Sequence, residues 1–307
     1  MTANILSIGE CMGELSQAGE RLYRFGYAGD TLNTAWYLRA LTDASQFNVD
    51  YLTAVGTDRI SSELVEFLVR NGIGTTRIRL ISDRTIGLYI ISLNAGERSF
   101  TYWRDASAAR LLAQDLPHVQ SCIAAADCVY FSGVTLAILS AKDRGNLLEQ
   151  LRNHRGVGKT IAFDSNIRRQ LWRTEAEMRS VLTAAYGVST VALPSFDDES
   201  KAFGDATPEA TAERIADCGV AEVVVKRGGG PSVVLSEDTL VSVPPAAVSE
   251  IVDTTGAGDS FNGGYLAARL TGQNPESSAR LAHRVAARVI AHPGALVAMR
   301  EFADLRP

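Results

Sequence analysis

Short runs rich in Val, Ile, Leu and Tyr alternate along this chain with longer windows in which apolar residues recur every three or four positions. ILSIG (5–9), VDYLTAVG (49–56), CVYFSG (128–133), TIAFD (160–164), STVAL (189–193) and AEVVVK (221–226) read as strands. Between them, DTLNTAWYLRAL (30–41) puts Leu32, Ala35, Trp36 and Ala40 on one helical stripe, and SSELVEFLVRNG (61–72) starts on capping residues and stops on Gly72. Further helical windows lie near 140–154, 174–185 and 207–217, two of them opened by capping-box patterns, Ser140 to Asp143 and Thr174 to Glu177. Alternation of this kind predicts an α/β fold with a mostly parallel central sheet covered by helices on both faces. One segment breaks it. TIGLYIISLNAGERSFTYWR (85–104) holds two β-rich runs around NAGE, the pattern of a hairpin. Its aromatics Tyr89, Phe100, Tyr102 and Trp103 fit either plain packing or the lining of a cover over a substrate, and a hairpin added to such a sheet serves as a lid or a dimer contact. With no repeat, low-complexity tract or Pro/Ser-rich linker, residues 1–307 read as a single domain.

Composition narrows the classes. The 307 residues are 46% hydrophobic with a net charge of −5, enough to bury a large core and without the clustered Lys/Arg that phosphate backbones require, so nucleic acid is not an expected partner. Four scattered cysteines without C-x-x-C, and four isolated histidines, predict neither a disulfide framework nor a transition-metal site. The start lacks a basic n-region, and the most apolar run, CVYFSGVTLAIL, is interrupted by Ser132, Gly133 and Thr135, so neither export nor membrane insertion is expected and the reading is cytoplasmic.

The chemistry concentrates in DTTGAGDSFNGG (253–264), which precedes a window with Phe261, Tyr265, Leu266 and Leu270 at helical spacing. A glycine-rich helix N-terminus offers unpaired N–H groups and a positive dipole end, a ready anion site, with Gly256 and Gly258 allowing close approach. Asp259 is the anomaly there. It either caps the helix or acts as a base toward an attacking hydroxyl. The motif is neither a Walker A loop nor a dinucleotide G-x-G-x-x-G after the first strand.

DTTGAGDSFNGGYLAARL and, some 220 residues earlier, GYAGDTLNTAWYLRAL (26–41) together resemble the two signatures of the ribokinase-like (pfkB-type) carbohydrate kinases. The resemblance implies a ribokinase-like domain with a small β-sheet lid formed near 10–28 and 85–104. Within that family, IGECMGELS (8–16), AGDTLN (28–33), GERSFTYWR (96–104) and FDSNIRRQLW (163–172) are most similar to the kinases of 2-dehydro-3-deoxygluconate. An acidic sugar fits Arg104 and Arg168, since a guanidinium grips a carboxylate with two hydrogen bonds. A related kinase for a neutral substrate, whether fructose, ribose, a nucleoside or another keto-sugar, and a non-catalytic sugar or nucleotide sensor, are the alternatives.

By the resemblance, Asp259 is the base, and the backbone N–H groups of Gly256, Ala257 and Gly258 stabilise the transferring phosphoryl group. Gly29, Asp30 and Asn33 take sugar hydroxyls, and Tyr89 and Tyr102 close over the sugar. Lys226 and Gly228 in VVVKRGGG (223–230) lie under the ATP phosphates, with Asn166 and Ser195 facing the same crevice. SFDDE (195–199) stands where the family has N-x-x-E, so Asp198 is the indirect Mg2+ contact. DTTG implies a possible K+ site, and the lid implies a homo-oligomer. Arg169, where relatives have proline, and Gly13, where they have a larger apolar residue, are two departures expected to alter the substrate pocket.

Overall fold

The computed structural model describes residues 2–19, 21–94 and 97–307. In chain order its first third forms β1 (Ala3–Ile8), β2 (Met12–Gly19), β3 (Leu22–Ala28), α1 (Asp30–Leu41), β4 (Phe47–Leu52), β5 (Ala54–Val55), α2 (Arg59–Arg70), β6 (Arg79–Leu80), β7 (Gly87–Asn94) and β8 (Glu97–Trp103). The middle adds α3 (Leu116–Ala124), β9 (Cys128–Ser132), α4 (Gly133–Ile138), α5 (Ala141–Gly156), β10 (Thr160–Asp164), α6 (Glu175–Val188), β11 (Val191–Ala192) and α7 (Phe196–Phe203). The last third holds α8 (Pro208–Ala216), β12 (Glu222–Val225), β13 (Ser232–Ser236), β14 (Thr239–Val243), α9 (Ala257–Leu270) and α10 (Pro275–Ile290).

Among the described residues the main sheet has eight strands in the order β14-β13-β12-β11-β10-β9-β1-β4. β4 through β12 run parallel, and β13 and β14 close one side antiparallel. The parallel strands are mostly apolar at their centres because both faces are covered, which leaves Val129, Phe131, Ile161, Phe163, Val223 and Val225 at 3% exposure or less on one side and Ile5, Tyr130, Ala162 and Val224 on the other. A second, four-stranded sheet in the order β3-β2-β7-β8 stands apart from it, β2 and β7 pairing in parallel at its centre.

Differences from the sequence reading have local causes. VDYLTAVG is not one strand: the chain leaves the main sheet after Leu52, and Ala54–Val55 pairs instead with β6. The second helix starts at Arg59 rather than Ser61, because Asp58 accepts the Ser61 N–H at 3.0 Å and is the true cap. α1 is not a one-striped helix. It is buried on nearly every side, sandwiched between the sheet and α9. The turn residues Ala95 and Gly96 lie outside the described residues, but β7 and β8 pair antiparallel with Leu88 opposite Trp103 and Tyr89 opposite Tyr102, the hairpin expected at 85–104.

Each capping-box pattern forms its N-cap bond, without the reciprocal bond that completes a box. Ser140 accepts the Asp143 N–H and Thr174 the Glu177 N–H, each at 3.1 Å. Thr174→Ala removes one satisfied helix donor at an exposed site and is expected to cost about 1 kcal/mol, measured as a lower midpoint in thermal or urea unfolding.

Candidate active site

The carboxyl ends of the parallel strands, the N-termini of α1 and α9, and one face of the four-stranded sheet enclose a cleft of about 1110 Å³. At its floor α9 begins at Ala257 behind Gly256, whose φ of 75° is left-handed and whose missing Cβ leaves room for Ala295 O, which a Cβ would approach to 3.0 Å. First-turn N–H groups have no partner inside a helix. That of Ala257 donates to Thr254 O at 3.2 Å, a turn bond at the mouth of the helix. The next two glycines serve packing. A Cβ on Gly263 would fall 2.7 Å from Tyr37 Cβ, and one on Gly264 would fall 3.0 Å from Ala282 Cα, so the pair lets α9 lie directly between α1 and α10.

Asp259 does not cap α9 through its side chain. Its Oδ2 accepts from Asn33 Nδ2 at 2.8 Å, and Thr34 Oγ1 donates to its backbone oxygen at 3.1 Å, so two residues of α1 hold it. Reachable from the cleft yet ringed by protein, the carboxyl is pushed up to about 7, by burial first and then by the charges of Asp30 and Asp164, against the pull of Asn33 and Lys226. A base half ionised near neutrality is suited to taking a proton from a hydroxyl.

Two more carboxylates flank it, each holding an asparagine amide. Asp30 Oδ2 accepts from Asn166 Nδ2 and Asp164 Oδ2 from Asn262 Nδ2, both at 2.7 Å. Lys226 Nζ sits 2.7 Å from Asp164 Oδ2 and 2.9 Å from Asn262 Oδ1, and a Cβ on Gly258 would lie 3.6 Å from that ammonium. Ser195 heads α7 without capping it, and its backbone bridges that of Lys226.

On the sheet side, Tyr89 and Tyr102 form a cross-strand pair with ring centroids 5.7 Å apart. Tyr89 is buried and donates its hydroxyl to Glu14; Tyr102 is 41% exposed and stands under the Arg104 guanidinium, 5.8 Å from the ring centroid. Arg104 is itself buried and paired with Glu10, while its Nε and Glu10 Oε1 lie buried without a partner. Arg168, about half exposed, has Asp198 at 3.9 Å, and Asp198 is raised above the usual carboxylate range by burial, against the pull of Arg168.

Gly29, Asp30, Asn33, Tyr89, Tyr102, Arg104, Asn166, Arg168, Ser195, Asp198, Lys226, Gly228, Gly256, Ala257, Gly258 and Asp259 therefore all line one cleft. Within it, the Asn166 side-chain amide donates to Asp30 Oδ2 at 2.7 Å. Arg169 and Gly13 do not line the cleft. Arg169 pairs at the surface with Glu175 at 3.2 Å, and Gly13 is on the opposite face of its sheet, where Phe25 takes the space of a side chain. Glu10, Asp164 and Asn262 were missed, although all three stand inside motifs quoted for other residues; an acid at a strand end reads as a turn until its partners are known.

The pattern of pfkB family carbohydrate kinases matches residues 2–301. A 2-dehydro-3-deoxygluconokinase of Dickeya dadantii (strain 3937) is 39% identical over 96% of this chain and 97% of its own length. One of Escherichia coli K12 is 38% identical over 97% and 98%. Among solved structures, a putative Ribokinase II in complex with ATP and Mg2+ from E. coli superposes with a TM-score of 0.84 at 21% identity, covering 99% of both chains. The α/β architecture with its separate small sheet is thus ribokinase-like, and the chain belongs to the pfkB family of carbohydrate kinases.

Proposed function

We propose that this member of the pfkB carbohydrate kinases transfers the γ-phosphoryl group of ATP to the primary hydroxyl of 2-dehydro-3-deoxy-D-gluconate, giving the 6-phosphate and ADP. The observation that carries the reading is Asp259, clamped by Asn33 between the first-turn amides of α9 and the arginine-bearing wall of the same cleft. Two relatives at 38–39% identity over nearly the whole chain, named for that reaction, support the choice of sugar.

In the proposed step the acceptor oxygen attacks the γ-phosphorus as its proton passes to the Asp259 carboxylate, and the bond to the β-phosphate oxygen breaks. The N–H groups of Gly256, Ala257 and Gly258 and the positive end of α9 stabilise charge on the transferring group. Lys226 and the open turn at Gly228, where a Cβ would meet nothing within 4 Å, suit the nucleotide phosphates, with Ser195 and Gly256 beside them. Among the described residues no group of three acids, histidines or cysteines can hold a metal ion, which fits Mg2+ arriving on the phosphates with Asp198 acting through water. When bound, the ion would neutralise phosphate charge.

Gly29, Asp30 and Asn33 face the sugar hydroxyls, Arg104 and Arg168 its carboxylate. The whole of 1–307 works as one catalytic unit, with the four-stranded sheet as lid excluding water. The lid's outer face exposes Tyr23, Phe25 and Trp103 at 47%, 42% and 55%, the surface on which two copies would pair. No helix among the described residues is long and apolar enough to cross a membrane, in keeping with a cytoplasmic enzyme. Both oxygens of Asp253 accept backbone N–H bonds, from Thr255 and Gly294 at 2.8 Å, ordering the loop where a K+ would sit; replacing K+ by Na+ in the assay tests that cation.

A coupled ADP-release assay on the sugar acid beside fructose and ribose is expected to give the highest kcat/KM for the acid; a higher value on either neutral sugar overturns the assignment.

A further inference from the structure

Asp164 belongs to neither ligand set, yet it touches both. Its Oδ2 holds Lys226 and Asn262 at 2.7 Å each, and its Oδ1 accepts the Asn166 N–H at 3.0 Å. That second bond pins Asn166 at a φ of 29°, a conformation uncommon outside glycine that persists where the surroundings impose it. So held, the Asn166 amide reaches Asp30 Oδ2 at 2.7 Å, and Asp30 follows the Gly29 cap of α1, the helix whose Asn33 grips Asp259. An unbroken set of charge-assisted hydrogen bonds thus runs from the nucleotide loop, through a buried carboxylate and a strained backbone, to the sugar site.

We propose that Asp164 is a positioning residue that couples the two substrate sites: a nucleotide phosphate drawing Lys226 changes the hold of Asp164 on Asn166, and hence the placement of Asp30 for the sugar. The ammonium is the shared element. Asp164, 3% exposed, has Lys226 and the two asparagines as its partners, so a phosphate competing for Lys226 must be felt along the rest of the set. The charges facing Asp259 are Asp30, Asp164 and Lys226, with the Asn33 amide bonded to it.

This inference rests on the kinase reading, and the experiment separates the two. Binding of the sugar acid is measured by calorimetry with and without a non-hydrolysable ATP analogue and Mg2+, in the wild type, Asp164→Asn and Asn166→Gly, the last supplying a residue that adopts the observed φ without the link to Asp30. The wild type is expected to bind sugar about tenfold more tightly with the analogue. In Asp164→Asn the enhancement falls to about twofold or less, and Asn166→Gly abolishes it without a further loss in the double variant, as members of one network do. Asp164→Asn also moves the acid limb of the kcat/KM profile to lower pH, because a negative charge facing Asp259 is gone and Lys226 is left uncompensated; a purely structural lesion lowers the rate without moving the limb. No sugar binding by the wild type overturns the kinase reading itself. Undiminished enhancement in a folded Asp164→Asn or Asn166→Gly overturns the coupling role alone.

Discussion

Asp259→Asn is expected to lower kcat by about 1,000-fold, the middle of the range a positioned base contributes, while sugar binding stays measurable by calorimetry. The substitution keeps shape and an oxygen able to accept from Asn33, so the contact between α9 and α1 survives and only the proton acceptor is lost. In the wild type, kcat/KM should fall as pH drops through about 7, because the base works only when ionised and burial with Asp30 and Asp164 holds its proton to that value. The same shift gives the variant a stability signature. The folded chain binds this proton more tightly than the unfolded chain, whose carboxyl titrates near 3.8, so ionising Asp259 costs stability over that interval, and the full cost is present above about 7. Asp259→Asn should therefore raise Tm, and raise it more at pH 8 than at pH 5. A dead enzyme that melts higher separates loss of the base from loss of the fold; turnover near that of the wild type would refute the assignment of Asp259.

What the sequence disclosed, and what it hid, follow from how far each signal reaches along the chain. IAF in TIAFD and VVV in AEVVVK are short apolar runs because helices cover both faces of their sheet, and that burial is written in consecutive residues. Gly256, Gly258 and Asp259 were equally legible, since a helix N-terminus is a local object. The Gly263–Gly264 pair was not, because its meaning lies in Tyr37 and Ala282, on two other helices. Asp164, Asn262 and Lys226 are far apart in sequence and become one group only when β10, β12 and α9 end at the same cleft. Gly13 shows the opposite error: a departure within a motif read as pocket chemistry, when strand alternation puts it on the other face of its sheet, under Phe25.

Arg104→Ala is expected to cut kcat/KM about 100-fold for the sugar acid and only a few-fold for a neutral keto-sugar, the difference being the worth of a charge-assisted grip on one carboxylate. The structure makes the comparison between substrates essential. Arg104 is not a free cation: it is buried against Glu10, and removing it strands that carboxylate, a penalty that falls on every substrate alike. The ratio of the two kcat/KM values cancels that shared loss. A guanidinium carries five donors, and Glu10 engages it at Nη2 while Nε stays buried without a partner. The ion pair is thus half satisfied, fixed in orientation by Glu10 with hydrogen-bonding capacity left over for a second carboxylate. Arg104→Lys keeps the charge and loses the fork, so its selectivity should fall between wild type and alanine. Glu10→Gln should leave Arg104 charged but less firmly aimed, raising KM for the acid more than it lowers kcat. Equal losses on acid and neutral sugars in Arg104→Ala would make Arg104 a structural partner of Glu10 and return the choice of substrate to Arg168.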